Sequence, residues 1–211
     1  MKILLIRHGQ STGNVQGKFT GQTDVPLTEL GVTQGKLLCE YLMKNYTVDA
    51  VYTSKLLRAK DTVKSLVQTL NLAPIEDGRI NELHMGKWEN QVIKDLNDTC
   101  PNELHSWMQN QKDYHCPDGE NFVELYCRAV DFITDLVKTD KNTVCVCSHG
   151  GVLRSILCYV KYGSVDYISE IDWGRNASIT ELDYKNGKFT VIKEFYDEFL
   201  LDLKSGYVGV L

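Results

Sequence analysis

The stretch KILLIRHG, residues 2–9, decides the fold of this chain. Its apolar part, Lys2–Ile6, has the length and composition of a buried strand, and Gly9 ends it. Two further runs of this kind, Ala50–Thr53 and Thr143–Cys147, are separated by amphipathic segments. Such alternation is typical of a mainly parallel sheet that is covered by helices on both faces. The sequence therefore predicts an α/β fold.

Amphipathic segments supply the predicted helices. The first begins at about Thr28, a residue type that often caps helices, and the others cover about Lys55–Leu70, Asn121–Val137 and Val152–Tyr162. Near the end of the chain, Asn186-Gly187 lies between two β-rich runs, which is a strong hairpin signal. We therefore expect a β-hairpin there.

The length of 211 residues fits one domain. The region from Trp88 to Pro117 interrupts the alternation of strands and helices, and we interpret it as a helical insertion that caps the sheet edge. It is not expected to form a separate domain. The tail, residues 197–211, contains an apolar cluster whose place in the fold the sequence does not indicate.

The composition limits the class of partner. A formal net charge of −5 argues against general affinity for nucleic acid, and no apolar run is long enough to cross a membrane. The seven cysteines are an odd number in a chain without a secretory segment, which favours reduced thiols. We expect a cytoplasmic protein without nucleic-acid or membrane partners, and a homodimer is compatible with the sequence.

Two of the predicted strands end in the same way. Arg7-His8-Gly9 follows the first strand, and Ser148-His149-Gly150-Gly151 follows the strand at Thr143–Cys147. Parallel strands bring their carboxyl ends to one edge, so both histidines are expected in one crevice. A third strand end adds Arg58, and a helix N-terminus near Gly151 adds free N–H groups. A lone histidine at a strand end is usually a capping residue, but this combination predicts a phosphate site.

The motifs also resemble those of a known family. They occur in order along most of the chain: RHGQST at 7–12 with Asn14, FTGQTDVPLTELG at 19–31, SKLLRAKDT at 54–62, Glu82, and SHGG at 148–151. Together they are similar to the histidine phosphatase superfamily, also called phosphoglycerate mutase-like. The resemblance implies a three-layer α/β/α fold, a phosphohistidine intermediate and no cofactor or metal.

Roles for individual residues follow from this resemblance. It makes His8 the nucleophile and Glu82 the proton donor to the leaving oxygen. It assigns phosphoryl binding to Arg7, Arg58 and His149. Four further positions, Asn14, Thr20, Gly21 and Gly150, fall where the family contacts its phosphorylated ligand.

The chemistry is consistent with these roles. A neutral imidazole is a competent nucleophile near pH 7, so no metal is needed to create one. Two guanidiniums and a second imidazole, which we expect to be protonated, would stabilise charge on the phosphoryl oxygens. Glu82 must be protonated when it acts. Cys145 and Cys147 lack a second pair at zinc spacing and are expected in the buried strand.

Three functions remain open. The first is a phosphatase acting on a sugar phosphate, a nucleotide-like phosphate or an α-ribazole-type phosphate. The second is a cofactor-dependent phosphoglycerate mutase, but mutases of this family place an arginine after the glutamate and a tryptophan at the position of Gly13, and here Leu83 follows Glu82. The third is a phosphate-ester-binding module without turnover. An apolar wall over the pocket is also predicted, from Met85, Trp88, Trp107, Met108 and Tyr114.

Overall fold

The computed structural model describes residues 1–205, and it places one six-stranded sheet between two layers of helices. The strands are β1 (Lys2–Arg7), β2 (Ala50–Thr53), β3 (Ile75–Glu76), β4 (Thr143–Ser148), β5 (Ile179–Lys185) and β6 (Lys188–Tyr196). The helices are α1 (Thr12–Val15), α2 (Glu29–Asn45), α3 (Leu57–Thr62), α4 (Lys64–Leu70), α5 (Ile93–Thr99), α6 (Pro101–Gln109), α7 (Phe122–Leu136) and α8 (Gly150–Tyr162). In the described part of the chain, no helix is long and apolar enough to cross a membrane.

The sheet order is β3-β2-β4-β1-β5-β6. The first four strands in this order are parallel. β5 pairs with β1 in the antiparallel direction, and β6 pairs with β5 in the antiparallel direction. This arrangement confirms the predicted α/β/α fold with a mainly parallel sheet. One apolar core packs α7 and α8 against one face of the sheet, and a second packs α2, α3 and α4 against the other.

The register between β1 and β4 places the functional loops side by side. Arg7 at the end of β1 pairs with Ser148 at the end of β4. The next backbone bond runs from the His8 N–H to the Ser148 carbonyl at 2.9 Å. His8 and His149 therefore leave the sheet at the same level, as the matching strand ends predict.

The predicted helix at Lys55–Leu70 is wrong in one respect, because it is two helices. α3 ends at Thr62 and α4 begins at Lys64, with Val63 outside helical geometry at φ −99° and ψ 7°. The Thr62 hydroxyl donates to the Arg58 carbonyl at 2.7 Å, an arrangement that bends helices. The same oxygen accepts the Gly9 N–H at 2.8 Å, so the break fixes the loop that follows β1.

The predicted hairpin is present between β5 and β6. Asn186 and Gly187 both adopt positive φ, 53° and 78°, as a two-residue turn of the primed type requires. β5 pairs with β1 in the antiparallel direction, so the hairpin extends the sheet beyond its parallel part.

The insertion at 88–117 contains α5 and α6, and its two chain ends meet at its base. The Lys87 N–H donates to the Pro117 carbonyl at 2.8 Å. Gly86 has φ 53°, and a Cβ there would lie 2.0 Å from the Pro117 carbonyl oxygen. A Cβ on Gly119 would lie 2.4 Å from the His84 carbonyl oxygen. Only glycines allow the two backbone segments to approach this closely.

Part of the tail now has a place in the fold. Residues 198–203 form two short 3₁₀ turns that are separated by a kink at Leu201. They pack on α2, where Phe199 stacks on Tyr41 with ring centroids 4.8 Å apart. The Gln34 side chain donates to the Leu203 carbonyl at 2.8 Å and to the Ser205 hydroxyl at 2.9 Å. The last part of the predicted tail, residues 206–211, lies outside the described residues.

Candidate active site

A cavity opens at the carboxyl ends of the parallel strands. Its empty space, together with the open solvent at its mouth, is about 730 Å³. The lining residues are Arg7, His8, Gly13, Asn14, Gly17, Lys18, Phe19, Thr20, Gly21, Arg58, Glu82, Leu83, Met85, Ile93, Trp107 and Trp173. Most of the polar residues among them come from the end of β1 and residues 8–20 after it, with Arg58 from α3 and Glu82 from the segment before the insertion. Of the apolar residues, Ile93 and Trp107 come from the insertion.

His8 is buried and held in one tautomer. Its Nδ1 lies 2.7 Å from the Gly9 carbonyl oxygen, and because only an N–H can pair with a carbonyl, Nδ1 carries the proton. Nε2 therefore keeps its lone pair. Burial, followed by the charges of Arg58 and Arg7, lowers the pKa of His8 well below its usual value of 6.5. The imidazole is neutral at physiological pH, which is the state that a nucleophile requires.

His149 faces His8, with ring centroids 5.1 Å apart, but its partner differs. Its Nε2 lies 2.8 Å from the Ser54 hydroxyl. That hydroxyl accepts the Leu56 N–H at 3.3 Å, and Nε2 is the one acceptor that it contacts among the described residues, so we assign its hydrogen to Nε2 and the His149 hydrogen to Nδ1. Burial, and then the charges of Arg58 and other neighbouring groups, lower the pKa of His149 well below 6.5. The expectation of a protonated second imidazole is therefore corrected, since His149 is a neutral N–H donor in the ligand-free protein.

Two arginines complete this end of the cavity. Arg58 is almost fully buried, and its terminal nitrogens donate to the Gly21 carbonyl at 2.7 Å and the Thr23 carbonyl at 3.0 Å. Burial lowers the pKa of Arg58 to about 10, so the side chain remains a cation near pH 7. Arg7 is also buried and donates to the Gly174 carbonyl at 2.6 Å. The structure thus brings both predicted cations to the side of His8.

Glu82 is half-buried in the wall of the cavity. Its Oε1 accepts the Leu83 N–H at 2.8 Å, and its Oε2 accepts the Gly151 N–H at 3.2 Å. The carboxylate therefore caps the first turn of α8, which is the helix that follows His149. A Cβ on Gly151 would lie 2.5 Å from Glu82 Oε1, so glycine permits this contact.

The remaining predicted positions divide into two groups. Asn14, Thr20 and Gly21 line the cavity. The Asn14 amide oxygen accepts from the Ser11 backbone and hydroxyl at 3.0 Å, which leaves its NH₂ group as the donor for a ligand. Gly150 is buried behind the cavity, where a Cβ would lie 2.9 Å from the Trp173 ring. Because Gly150 has no side chain, the Trp173 ring fits against it. Gly150 itself is not among the lining residues.

Several residues of the site were missed by the sequence analysis. Ser54 orients His149, and Gln22 donates to the Glu82 carbonyl at 3.1 Å. Asn176 donates to the His8 carbonyl at 3.1 Å and to the Asn14 amide oxygen at 3.2 Å. Trp173 covers Gly150 and lines the cavity. Ser54 and Gln22 lie inside quoted motifs and could have been proposed, whereas Asn176 and Trp173 lie in a segment without a local pattern.

The predicted apolar wall is only partly present. Met85 and Trp107 line the cavity, together with Phe19, Leu83 and Ile93. Trp88 is buried instead between Phe19 and Tyr114, with ring centroids 5.8 Å and 5.9 Å away. Trp88, Tyr114 and Met108 are not among the lining residues. Trp88 and Tyr114 stack on each other, and all three residues belong to or pack against the apolar core that also contains residues of α7 and α8.

The two cysteines near His149 are part of the sheet core. Cys145 and Cys147 are fully buried in β4, and burial raises the pKa of both thiols. They pack with Leu4 and Ile6 of β1. Neither thiol is a thiolate, the form that binds metals or acts as a nucleophile, near neutral pH.

Comparison with known proteins places the chain in a family. Residues 3–197 match the model of the histidine phosphatase superfamily, branch 1. The chain belongs to the histidine phosphatase superfamily. The family that the motifs resemble is thereby confirmed, over almost the whole chain.

Relatives within the superfamily carry different names. The chain is 32% identical over 193 residues to the metal-independent phosphoserine phosphatase of Arabidopsis thaliana, which covers 90% of this chain and 79% of the relative. It is 31% identical over 187 residues to the probable phosphoglycerate mutase GpmB of Proteus mirabilis, with 88% and 86% coverage. The solved structure of Bacillus stearothermophilus YhfR superposes with a TM-score of 0.86 at 28% identity, covering 94% of this chain and 98% of that one.

Proposed function

We propose that this histidine phosphatase hydrolyses small phosphomonoesters through a phosphohistidine on His8, without a metal ion. The observation that carries the proposal is a neutral His8 beside buried donors that have no acceptor. Arg58 Nε and His149 Nδ1 are buried and lack a hydrogen-bond partner among the described residues. Unpaired buried donors destabilise a protein, and a phosphoryl group supplies the acceptors that they lack.

In the first step, His8 Nε2 attacks phosphorus and the bond to the ester oxygen breaks. Arg7, Arg58 and His149 stabilise the charge on the phosphoryl oxygens as it develops, and the Asn14 amide adds a further donor. Glu82 gives its proton to the leaving oxygen, which departs as an alcohol. The product of this step is the phosphohistidine, with Glu82 as a carboxylate.

In the second step, water attacks phosphorus and the bond to Nε2 breaks. The Glu82 carboxylate accepts a proton from this water, so the residue that served as acid becomes the base. Inorganic phosphate leaves, and both His8 and Glu82 return to their starting states. The hydrogen bond from Nδ1 to the Gly9 carbonyl keeps His8 in the reactive tautomer throughout.

The distribution of cations supports hydrolysis over mutase activity. A mutase must hold a doubly phosphorylated intermediate, which requires cations around a second anion. The basic side chains that line the cavity, within residues 1–205, are Arg7, Lys18 and Arg58. Two of these three lie at the phosphoryl end, beside His8. Only Lys18 is left for a second phosphate, so we assign phosphatase activity.

The distal part of the cavity supports a substrate with an apolar portion. Phe19, Met85, Ile93 and Trp107 line it, and an α-ribazole-type phosphate or another ester with an aromatic portion would contact them. Trp107→Leu should therefore reduce kcat/KM for bulky aryl phosphates more than for glycerol phosphate. Trp88→Leu is the matched control, since Trp88 is equally buried but does not line the cavity. Equal reductions for both esters in the Trp107 variant would refute this preference.

The function is tested by phosphate release from sugar phosphates, nucleotides, phosphoserine and p-nitrophenyl phosphate in EDTA. We expect release from several esters, together with acid-labile phosphate on the quenched enzyme. Interconversion of phosphoglycerates on addition of bisphosphoglycerate, with no hydrolysis, would instead identify a mutase. Binding without turnover would identify a phosphate-ester-binding module.

We also propose a cytoplasmic location. The support is the state of the cysteines, since all seven are free thiols in the structure and most are buried. Reduced thiols are typical of proteins in reducing compartments. Fractionation of cells that express a tagged chain would test the location.

A further inference from the structure

Glu82 lies on an irregular segment between a 3₁₀-turn at Gly78–Ile80 and the insertion. Such a segment has no ladder of backbone hydrogen bonds to hold a side chain in place. A proton donor nevertheless has to stay within hydrogen-bond distance of one oxygen of the substrate. The contacts that hold this segment therefore matter for the reaction.

Arg128, in the middle of α7, makes these contacts. Its Nη1 donates to the Arg79 carbonyl at 2.7 Å and to the Asn81 carbonyl, and its Nη2 donates to the Glu82 carbonyl at 2.9 Å. Its Nε and Nη2 also form a two-point pair with the Glu120 carboxylate, at 2.9 Å and 2.8 Å. All five N–H groups of the guanidinium are used, in the planar fork that only arginine provides.

Glu120 forms hydrogen bonds with the backbone on the other side of Glu82. Its Oε2 accepts the His84 N–H at 2.9 Å, and its own N–H donates to the His84 carbonyl at 2.8 Å. Burial by itself would raise the pKa of Glu120, but the hydrogen bonds and charge of Arg128 outweigh burial and hold the pKa below its usual value. The carboxylate is therefore ionised, and the pair binds the backbone on both sides of the proton donor.

We infer that Arg128, together with Glu120, is a positioning residue for proton transfer by Glu82. Arg128 is not among the residues that line the cavity, so it acts through the backbone of residues 79–84 and not on the ester. This role rests on the proposed function, because it requires Glu82 to be the proton donor.

The role predicts a dependence on the leaving group. An alkoxide is a poor leaving group and needs a proton, whereas p-nitrophenolate leaves without one. Arg128→Lys should therefore lower kcat for glycerol phosphate by roughly tenfold or more. A general acid typically contributes a hundredfold or more in total, and misplacing it should lose part of that factor. The same variant should change kcat for p-nitrophenyl phosphate by less than about threefold. Glu120→Gln should show the same pattern with a smaller loss, because the amide keeps the shape of the carboxylate but weakens its pair with Arg128.

Arg79→Lys is the matched control. Arg79 lies on the same segment, but its side chain pairs with Asp77 and Asp135 at the surface. This variant should leave the ratio of the two kcat values unchanged. The double variant Arg128→Lys with Glu82→Gln should lose little more activity on glycerol phosphate than Glu82→Gln alone, because both changes remove the same proton transfer.

Each result bears on one of the two proposals. If wild-type enzyme releases phosphate and Glu82→Gln is selective for alkyl esters, but the Arg128 and Glu120 variants lose activity equally on both esters, the positioning role is wrong and the proposed function stands. If Glu82→Gln itself loses activity equally on both esters, the proton-donor assignment is wrong. If the wild type releases no phosphate, the proposed function is wrong.

Discussion

The ends of β1 and β4 carry the same residue type at the same level, yet the two histidines use opposite ring nitrogens to bind the protein. His8 lines the cavity, whereas His149 is fully buried and is not among the lining residues. At the end of β1, His8 donates from Nδ1 to the Gly9 carbonyl and keeps a lone pair on Nε2. At the end of β4, His149 accepts the Ser54 hydroxyl at Nε2 and keeps a hydrogen on Nδ1. One imidazole can therefore attack phosphorus, and the other can donate to its oxygens. The partner of the second ring nitrogen, and not the residue type, decides the role.

The largest effect is expected for His8→Ala. Among residues 1–205, no other lining side chain offers a neutral nitrogen with a free lone pair to the phosphoryl group, so turnover should fall to the level of the reaction without enzyme. Phosphate binding, measured by calorimetry, should persist because the arginines and His149 remain. Substantial residual hydrolysis would show that His8 is not the nucleophile and that the roles of the two histidines had been exchanged.

A smaller loss is expected for His149→Ala. Removal of one donor to a developing oxyanion typically costs about a hundred- to a thousandfold in kcat. His149→Asn should recover part of this loss, since its amide offers a neutral N–H near the position of Nδ1. If the asparagine variant were as slow as the alanine variant, a charged imidazole would be required and the neutral state would be wrong.

A loss of about tenfold is expected for Ser54→Ala, in the lower range for removal of a group that orients a functional imidazole. Without the hydroxyl, His149 is free to place its hydrogen on Nε2 and to rotate away from the phosphoryl group. The control is Ser148→Ala, because that buried hydroxyl donates to the Ile80 carbonyl and not to either imidazole. The kcat values of both variants are compared on p-nitrophenyl phosphate. Equal losses would show that the Ser54 hydroxyl has no special role in orienting His149.

The smallest effect concerns stability and is shared by the two histidines. Burial and the nearby arginines lower the pKa of both below 6.5, so the unfolded chain binds protons more readily than the folded one. Their contribution to the free energy of unfolding is complete above pH 6.5 and is lost as the pH falls toward the folded pKa. Each histidine can change the free energy of unfolding by at most about 1.4 kcal/mol per pH unit.

Urea unfolding between pH 6.5 and 5.5 measures this slope. His149→Asn should reduce the slope of the free energy of unfolding against pH by up to the amount that one bound proton contributes. His105→Asn, which removes an exposed histidine, serves as the control. An unchanged slope in the His149 variant would mean that the buried imidazole titrates as it does in the unfolded chain.

Much of the fold could be predicted because its signals are local. The apolar run at Lys2–Ile6, the Asn186-Gly187 turn and the capping residue Thr28 each act within a few residues, and each lies where the sequence predicts it. The break at Val63 was missed because it depends on Thr62 binding a loop more than fifty positions away, at Gly9. The apolar wall was only partly correct because sequence does not reveal which rings pack on one another.

The site shows the same division. The matching strand ends predicted that His8 and His149 would meet, since the parallel register brings equivalent positions together. The protonation state of His149 could not be predicted, because it depends on burial and on the charge of Arg58 from α3. The role of Arg128 could not be predicted, since its partners at 79–84 and 120 are brought to it by the packing of α7.

The backbone contact between Gly86 and Pro117 has a consequence for how such an enzyme can diversify. The two ends of the insertion are joined by main-chain groups, so a segment of different length and side chains can be exchanged between the same two ends. Glu120 and Arg128, which hold Glu82, lie outside that segment. We therefore expect that a different segment grafted between residues 87 and 117 would alter the substrate preference, while Glu120 and Arg128 would keep their contacts with the backbone around Glu82.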